Sequence, residues 1–332
     1  MEATDRLIHY CTEFDRNYLP RALVLYRSLR RHSPPFTLWV LCLDAETYGA
    51  LGRLGEPTIR PIRLSDLERG DEALLAAKAN RSTVEYYFTC TPSLPLYILN
   101  IEPRIDTITY LDADLKFFAS PQAVFDELGS NSIGIVPHLF PPRLRDKEKF
   151  GRFNVGLVVF RNDATGRACL MRWREQCLDW CYDRVERNRY ADQKYLDTWP
   201  SVYRTVRIFE NPGVVLGPWN FMKYEIAAVD GRLMVDGQQL IFYHFAGFRP
   251  IRSWLFDLGL GGFGRMPRTA RMHLYRSYVQ ELRQESQTAA RVLQGPANPT
   301  RVLRGKPMRN RFRMAVRLMQ GRLMFGAGRF WL

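Results

Sequence analysis

Acidic residues are missing from one end of this chain: from Ser286 to Leu332 there is no Asp or Glu. The same stretch holds Arg291, Arg301, Arg304, Lys306, Arg309, Arg311, Arg313, Arg317, Arg322 and Arg329, ten of the net +14 charges, which leaves about +4 for everything before it. The field therefore belongs to the tail, and the main body is only mildly basic. Long apolar runs are also missing, since no segment reaches the roughly 18 to 20 residues of a membrane span. Asp5, Arg6, Glu13, Asp15, Arg16 and Arg21 interrupt the first thirty residues, a pattern unlike a signal peptide. Cysteine is sparse. Cys11, Cys42, Cys90, Cys169, Cys177 and Cys181 include no C-x-x-C pair, and reduced thiols in a cytosolic protein are the plain reading. No glycine precedes Gly49, which argues against a glycine-rich phosphate turn after the first strand, as in a Rossmann dehydrogenase or a P-loop enzyme. No helix-turn-helix, zinc-finger or RNA-recognition signature accompanies the basic tail, so nucleic acid is not the expected partner.

What is present reads as alternating strands and helices. At 332 residues, 46% apolar and 25% charged, the chain can bury a sizeable core. Leu7–Thr12, Phe36–Leu43, Thr58–Leu64 and Thr107–Leu111 have strand character. Between them, Leu19–Arg31 and Ala45–Leu54 have helical spacing, Ser65 is placed to cap another helix, and Ser82–Leu99 reads as one helix or two broken near Pro92 and Pro95. Ser132–Pro137 and Phe153–Arg161 are further strands, separated by a charged loop from Pro141 to Phe150. Ala164–Asp183 is a helix carrying Cys169, Trp173, Cys177 and Trp180 on one face, where core packing is preferred over metal binding because no His or acid completes a site. Such alternation predicts an α/β fold with a doubly wound, mostly parallel sheet. Gly259–Gly264 is glycine-rich, Thr269–Gln294 looks helical, and Gly295–Thr300 reads as a linker. The expected division is 1–264 for the main domain, 265–294 for a C-terminal helix and 295–332 for a linker and basic tail.

The strongest chemical signal is Tyr110-Leu111-Asp112-Ala113-Asp114, directly after a β-branched strand and before Leu115-Lys116-Phe117-Phe118. Two carboxylates at the carboxyl end of a strand can face the ligand crevice of an open α/β sheet. Hard divalent cations are commonly shared between one or two carboxylates and substrate phosphates, and a departing nucleoside diphosphate needs that charge. A solvated turn is the other explanation of such a pair. His244 lies inside the apolar run Leu240–Phe245, where a histidine is either a bonded core residue or, with Gly247 and Arg249 following, a metal ligand suited to manganese or magnesium.

The stretch Tyr110–Asp114 resembles the D-x-D strand of glycosyltransferases with the GT-A fold, particularly the family 8 enzymes and their bacterial relatives. Four further segments fall in the order that family has them. Phe14-Asp15-Arg16-Asn17-Tyr18, with Ser28-Leu29 one helix later, is similar to its first strand-to-helix turn, where an Asp, an Asn and a Tyr hold the nucleotide base. Phe153-Asn154-Val155-Gly156 resembles its F-N-x-G segment along the donor sugar. Asp192-Gln193, with Leu196, resembles its D-Q-x-x-L element near the reacting carbon. Tyr243-His244-Phe245-Ala246-Gly247, then Arg249-Pro250, looks like its C-terminal element, in which the His is the third metal ligand and a basic residue holds the diphosphate. The matches run from Asp15 to Pro250; none is specific alone, and their common order is what carries the resemblance.

The resemblance implies a glycosyltransferase moving a hexose, UDP-hexose being the best single guess, to a glycan or lipid-linked acceptor with retention of configuration and with Mn2+ or Mg2+. Asp112, Asp114 and His244 would hold the metal. Thr12, Asp15, Asn17, Tyr18, Asp112, Asn154, Gly156, Gly247 and Arg249 would line the donor, and Asp192 and Gln193 would act at the reacting carbon. Bland roles stay open beside these: Tyr18 as a core ring or a stacking platform, Asn154 and Gly156 as a β-bulge, Asp192 as a helix cap. A sugar nucleotidyltransferase and a non-catalytic nucleotide-sugar-binding protein are the alternatives. The chain departs from the pattern in its cations. Arg249 stands five residues after His244 rather than six, Arg252 competes with it, and Lys78 or Arg81 would have to replace an arginine ahead of the D-x-D strand. In the tail, Phe312, Ala315, Val316, Met319 and Leu323 share one face of a possible helix among arginines. That pattern reads either as peripheral docking on the inner face of the cell membrane, from the cytoplasm, or as packing on the protein's own body. On the docking reading, truncation after Gln294 is expected to leave donor hydrolysis nearly unchanged.

Overall fold

The computed structural model describes residues 7–252, 254–295, 322–327, 330 and 331. Strand β1 (Ile8–Phe14) runs into α1 (Leu19–His32), whose Pro20 sits in the first turn, where a missing N–H costs nothing, and whose last turn carries Arg30 and Arg31 beside the exposed carbonyls. β2 (Phe36–Cys42) leads to α2 (Ala45–Leu54), capped by the Asp44 carboxylate on Thr47 N and closed by Gly55 in the left-handed region. β3 (Ile59–Arg63) follows, then α3 (Leu64–Glu68), α4 (Glu72–Asn80) and α5 (Thr83–Ile101). The next elements are β4 (Thr107–Leu111), β5 (Leu115–Phe117), α6 (Gln122–Leu128), β6 (Ile133–Pro137), β7 (Phe153–Arg161), α7 (Ala164–Asp179) and β8 (Val206–Ile208).

The central sheet has the order β3-β2-β1-β4-β7-β6-β8. β3, β2, β1 and β4 are parallel, β7 is antiparallel to both its neighbours, and β8 is parallel to β6. One apolar core lies between this sheet and α1 with α2; another, holding Trp173, Cys169, Cys177 and Cys181, lies between it and α5 with α7. All six cysteines are buried and unpaired, consistent with packing.

The remaining strands are short: β9 (Ile226–Val229), β10 (Arg232–Val235), β11 (Gln238–Gln239), β12 (Phe242–His244), β13 (Arg249–Arg252), β14 (Leu255–Asp257), β15 (Leu323–Ala327) and β16 (Phe330–Trp331). β12 pairs antiparallel with β5, and β13 to β16 form an antiparallel sheet. A third core joins them to the C-terminal helix Ser277–Leu293, with Phe245 stacked on Tyr278 at 3.7 Å between ring centres.

Five local expectations need correction. α5 runs unbroken through Pro92 and Pro95. Each proline removes a helical donor, yet Pro92, Leu94, Pro95, Ile98 and Leu99 are buried, and that packing outweighs the two lost bonds. The stretch 142–150 is a 3-10 helix rather than a loop, Arg63 rather than Ser65 precedes α3, and α7 ends at Asp179. Leu323 begins a strand rather than ending a helix, because it and Met324 are buried against β14. The rest of the expected tail helix, from Phe312 to Met319, lies outside the described residues.

Candidate functional site

β4 is an apolar central strand, and the chain leaves its carboxyl end in a tight turn: Leu115 N donates to the Asp112 carbonyl at 3.2 Å. Two neighbours fix that turn from outside. Asp112 N donates to the Gly156 carbonyl on β7 at 2.9 Å, and Phe245 N donates to the Asp114 carbonyl at 3.1 Å. The β5–β12 ladder sets His244 opposite Leu115, so the histidine meets both aspartates although 130 residues separate it from Asp114. His244 Nε2 lies 3.0 Å from Asp114 Oδ1 and 3.5 Å from Asp112 Oδ2. The three ligand atoms fall within 4.8 Å of one another. Two carboxylates and one imidazole with no thiol suit a hard divalent cation of the manganese or magnesium kind.

Electrostatics fit a cation here. Burial, opposed by the His244 charge and reinforced by Asp114, pushes the Asp112 carboxyl up to about 6. Burial also opposes charge on Asp114, but the charge and hydrogen bond of His244, with Arg21, hold its carboxyl below the usual range. His244 is pulled above the usual imidazole value because the two aspartates outweigh its burial.

The imidazole is held from behind. The Trp219 ring meets it edge-on at 5.5 Å, and His138 in turn packs edge-on against Trp219 while stacking on Phe140. Gly156 leaves room for the ring: a Cβ there would come to 2.5 Å from His244 Nδ1. β7 shifts register against β6 at this point, and Asn154 Oδ1 accepts from Gly156 N at 3.1 Å while its amide donates to the Val136 carbonyl. Asn154 and Gly156 thus form a bulge that supports Asp112 and His244, and neither lines the cleft.

A cleft of about 590 Å³ opens over the triad. Of the other residues picked out in sequence, Asp15, Tyr18, Asp192, Gln193, Gly247 and Arg249 line it. Asp15 accepts from Asn17 N, Asn17 Nδ2 and Tyr18 N, so it shapes the turn before α1 as well as facing the cleft. Asn17 and the fully buried Thr12 stand back from the cleft wall. Asp192 precedes a 3-10 helix without capping it through its side chain, and Ala191 beside it adopts φ 45°, a conformation costly for a non-glycine residue. Gln193 donates to the Phe150 carbonyl at 2.8 Å. Arg249 pairs with Asp257 at 3.0 Å. Lys78 pairs with Glu68 at 2.7 Å and Arg81 is bound to the Leu178 carbonyl at 3.1 Å, so neither reaches the cleft.

Sequence reasoning missed several lining groups. Glu13, the last residue but one of β1, lines the cleft and accepts from Thr91 Oγ1 at 3.1 Å; burial, then Asp192 and Asp112, push its carboxyl well above the usual range. Its place at the carboxyl end of a strand, two residues before Asp15, was the available signal. Tyr87 and Phe88 enter from α5, and Arg322 enters from the C-terminal segment.

No protein-family model matches the chain. Two proteins of Bacillus subtilis (strain 168), YfnF and YfnD, both uncharacterised, are similar to it in sequence. YfnF is 32% identical over 248 residues, 72% of this chain and 81% of YfnF. YfnD is 30% identical over 253 residues, 75% of this chain and 81% of YfnD. Among solved structures, that of the galactosyltransferase LgtC with donor and acceptor sugar analogues superposes with a TM-score of 0.51 at 17% identity, covering 86% of this chain and 96% of that one. The fold is thus that of the GT-A glycosyltransferases, and by sequence the chain belongs to the family of YfnF and YfnD.

Proposed function

We propose that the protein is a metal-dependent glycosyltransferase that moves a hexose from a nucleoside diphosphate donor, UDP-hexose in our reading, to a glycan or lipid-linked acceptor. The observation that carries it is the meeting of Asp112, Asp114 and His244 within 4.8 Å at the mouth of a cleft on a GT-A fold. A divalent ion held there would supply positive charge to the departing diphosphate. The chain's own residues do the rest. Tyr18, opening α1 beside the cleft, offers a ring face to the base. Arg249 and the backbone at Gly247, in the left-handed region with φ 72°, face the phosphates. Asp192 and Gln193 take the sugar and orient it. In the reaction the bond from the anomeric carbon to the distal phosphate oxygen breaks with its electron pair going to that oxygen. An acceptor hydroxyl oxygen forms the new bond on the same face and passes its proton to the departing phosphate oxygen, which retains configuration.

The basic stretch 296–321 would place this cleft beside an anionic cytoplasmic leaflet. Its charge supports that reading, and among the described residues no helix is long and apolar enough to cross a membrane.

A thermal-shift screen of nucleotide sugars with and without manganese tests the donor, since a bound ligand raises apparent stability. Sugar release from the responding donor then separates an enzyme from a binding protein. Asp114→Asn should abolish release while the unfolding transition stays intact. Undiminished turnover of that variant with manganese would remove the metal assignment.

A further inference from the structure

Among the described residues, the walls of the cleft carry six acidic side chains, from Glu13 (whose carboxyl burial favours in the neutral form), Asp15, Asp112, Asp114, Asp192 and Asp257, and only two arginines, Arg249 and Arg322. Even with a divalent ion on Asp112 and Asp114, this is a poor surround for a diphosphate unless both arginines serve it. Arg249 is partly neutralised already, because its guanidinium lies 3.0 Å from Asp257. Lys78 and Arg81 are committed elsewhere, and Arg252 is exposed outside the cleft.

Arg322 differs in each respect. It is half-buried, it lines the cleft, and no described carboxylate pairs with it. Its backbone is fixed at the spot. The Arg322 carbonyl accepts from Leu258 N at 3.0 Å, and the next two residues pair with Asp257 and Phe256 of β14. Leu323 and Met324 are buried, the latter in the third core, so β15 is anchored by apolar packing directly beside the arginine. The neighbouring sequence offers no acid to neutralise it, since none occurs after Glu285.

We infer that Arg322 is a diphosphate-binding residue, and that the C-terminal segment returns to the cleft as β15 to deliver it. The inference rests on the donor-site reading above. It makes the C-terminal strand part of the substrate site, so the expectation of a dispensable tail does not extend to Arg322. An arginine suits the task because its planar fork can bridge two phosphate oxygens. Together with Arg249 and the metal ligands it would surround the charge that grows on the leaving group.

Calorimetry of the full-length protein with manganese tests this, using UDP, GDP, CDP and ADP first to find the diphosphate that the wild type binds. Arg322→Ala should weaken that diphosphate by about tenfold or more, the value of losing a charge-assisted contact. It should leave the matching nucleoside unchanged, and Arg322→Lys should recover part of the loss. A purely structural role would weaken nucleoside and diphosphate alike, and that result overturns the proposal. So does equal diphosphate affinity in Arg322→Ala and the wild type, which leaves the donor site itself standing. If the wild type binds none of the four diphosphates, the donor-site reading falls and this inference with it. Should Arg322→Ala lose its native unfolding transition, Arg322→Gln keeps the side-chain length, removes the charge and carries the same expectation.

Discussion

Gly156 offers a test of how the metal triad is built. An alanine methyl at this position would stand 2.5 Å from His244 Nδ1, 2.8 Å from its Cε1 and 2.9 Å from Asn154 Oδ1. The backbone there is outside the left-handed region, so the cost arises from space alone. Ordinary contact needs the imidazole to retreat by about 1 Å, because carbon and nitrogen atoms pack at roughly 3.5 Å. The ring has little freedom to do so. It is buried, Trp219 meets it edge-on at 5.5 Å, and Gly156 also anchors Asp112 through the 2.9 Å backbone bond. Overpacking of this kind costs about 1 to 3 kcal/mol of stability. Loss of ligand orientation costs about 10- to 100-fold in metal affinity. Gly156→Ala should therefore bind manganese 10- to 100-fold more weakly in calorimetry, with a modest fall in the denaturation midpoint. A double-mutant cycle assigns the route. In a His244→Ala background the imidazole clash is gone and only the 2.9 Å approach to Asn154 Oδ1 remains, so Gly156→Ala should cost much less further affinity. Wild-type manganese affinity in Gly156→Ala would refute the reasoning, as would an equal loss in both backgrounds.

Two further outcomes are expected. In the metal-free protein Asp112 titrates at about 6, above the usual carboxylate value near 4, and His244 above the usual imidazole value, so both favour the folded state when protonated. Their contribution should be lost as pH rises through this window, while manganese, which needs both deprotonated, should stabilise more; a manganese-induced shift in melting temperature that is the same at pH 5 and pH 7.5 would contradict this. If stretch 296–321 docks on anionic lipid, replacing Arg309, Arg311, Arg313 and Arg317 by Gln should release the protein from phosphatidylserine vesicles and mimic the effect of high salt, and unchanged co-sedimentation would remove the membrane reading.

Much of the fold was legible because β1, β2, β4 and β7 are apolar runs separated by amphipathic helices, the period that sequence displays most directly. Asp112 and Asp114 were legible for the same reason, since the end of a strongly apolar strand marks where a sheet presents its ligands. Gly156 was not. A glycine interrupting a strand fits a sugar contact and a bulge equally well, and only the third dimension shows an imidazole occupying the missing Cβ. The prolines of α5 misled in the opposite sense, because helix-breaking rules weigh local bonds and cannot see the burial that overrides them.

The strands that complete the site are short as well as distant. β5 and β12 have three residues each, too few to show any periodicity, yet their ladder brings His244 to the aspartates. β15 lies in a segment whose charge dominates its composition, and charge predicts a solvated or membrane-facing tail. What seats β15 is a pair of buried apolar residues, Leu323 and Met324, and a pair carries no period. The same physics explains why the arginine before them is informative. A cation held by packed neighbours on a cleft wall, beside six acidic side chains and away from any partner among the described residues, is placed there by the fold and not by its own charge. If Arg322 serves an incoming diphosphate as inferred above, the C-terminal strand belongs to the donor site although sequence proximity never suggested it.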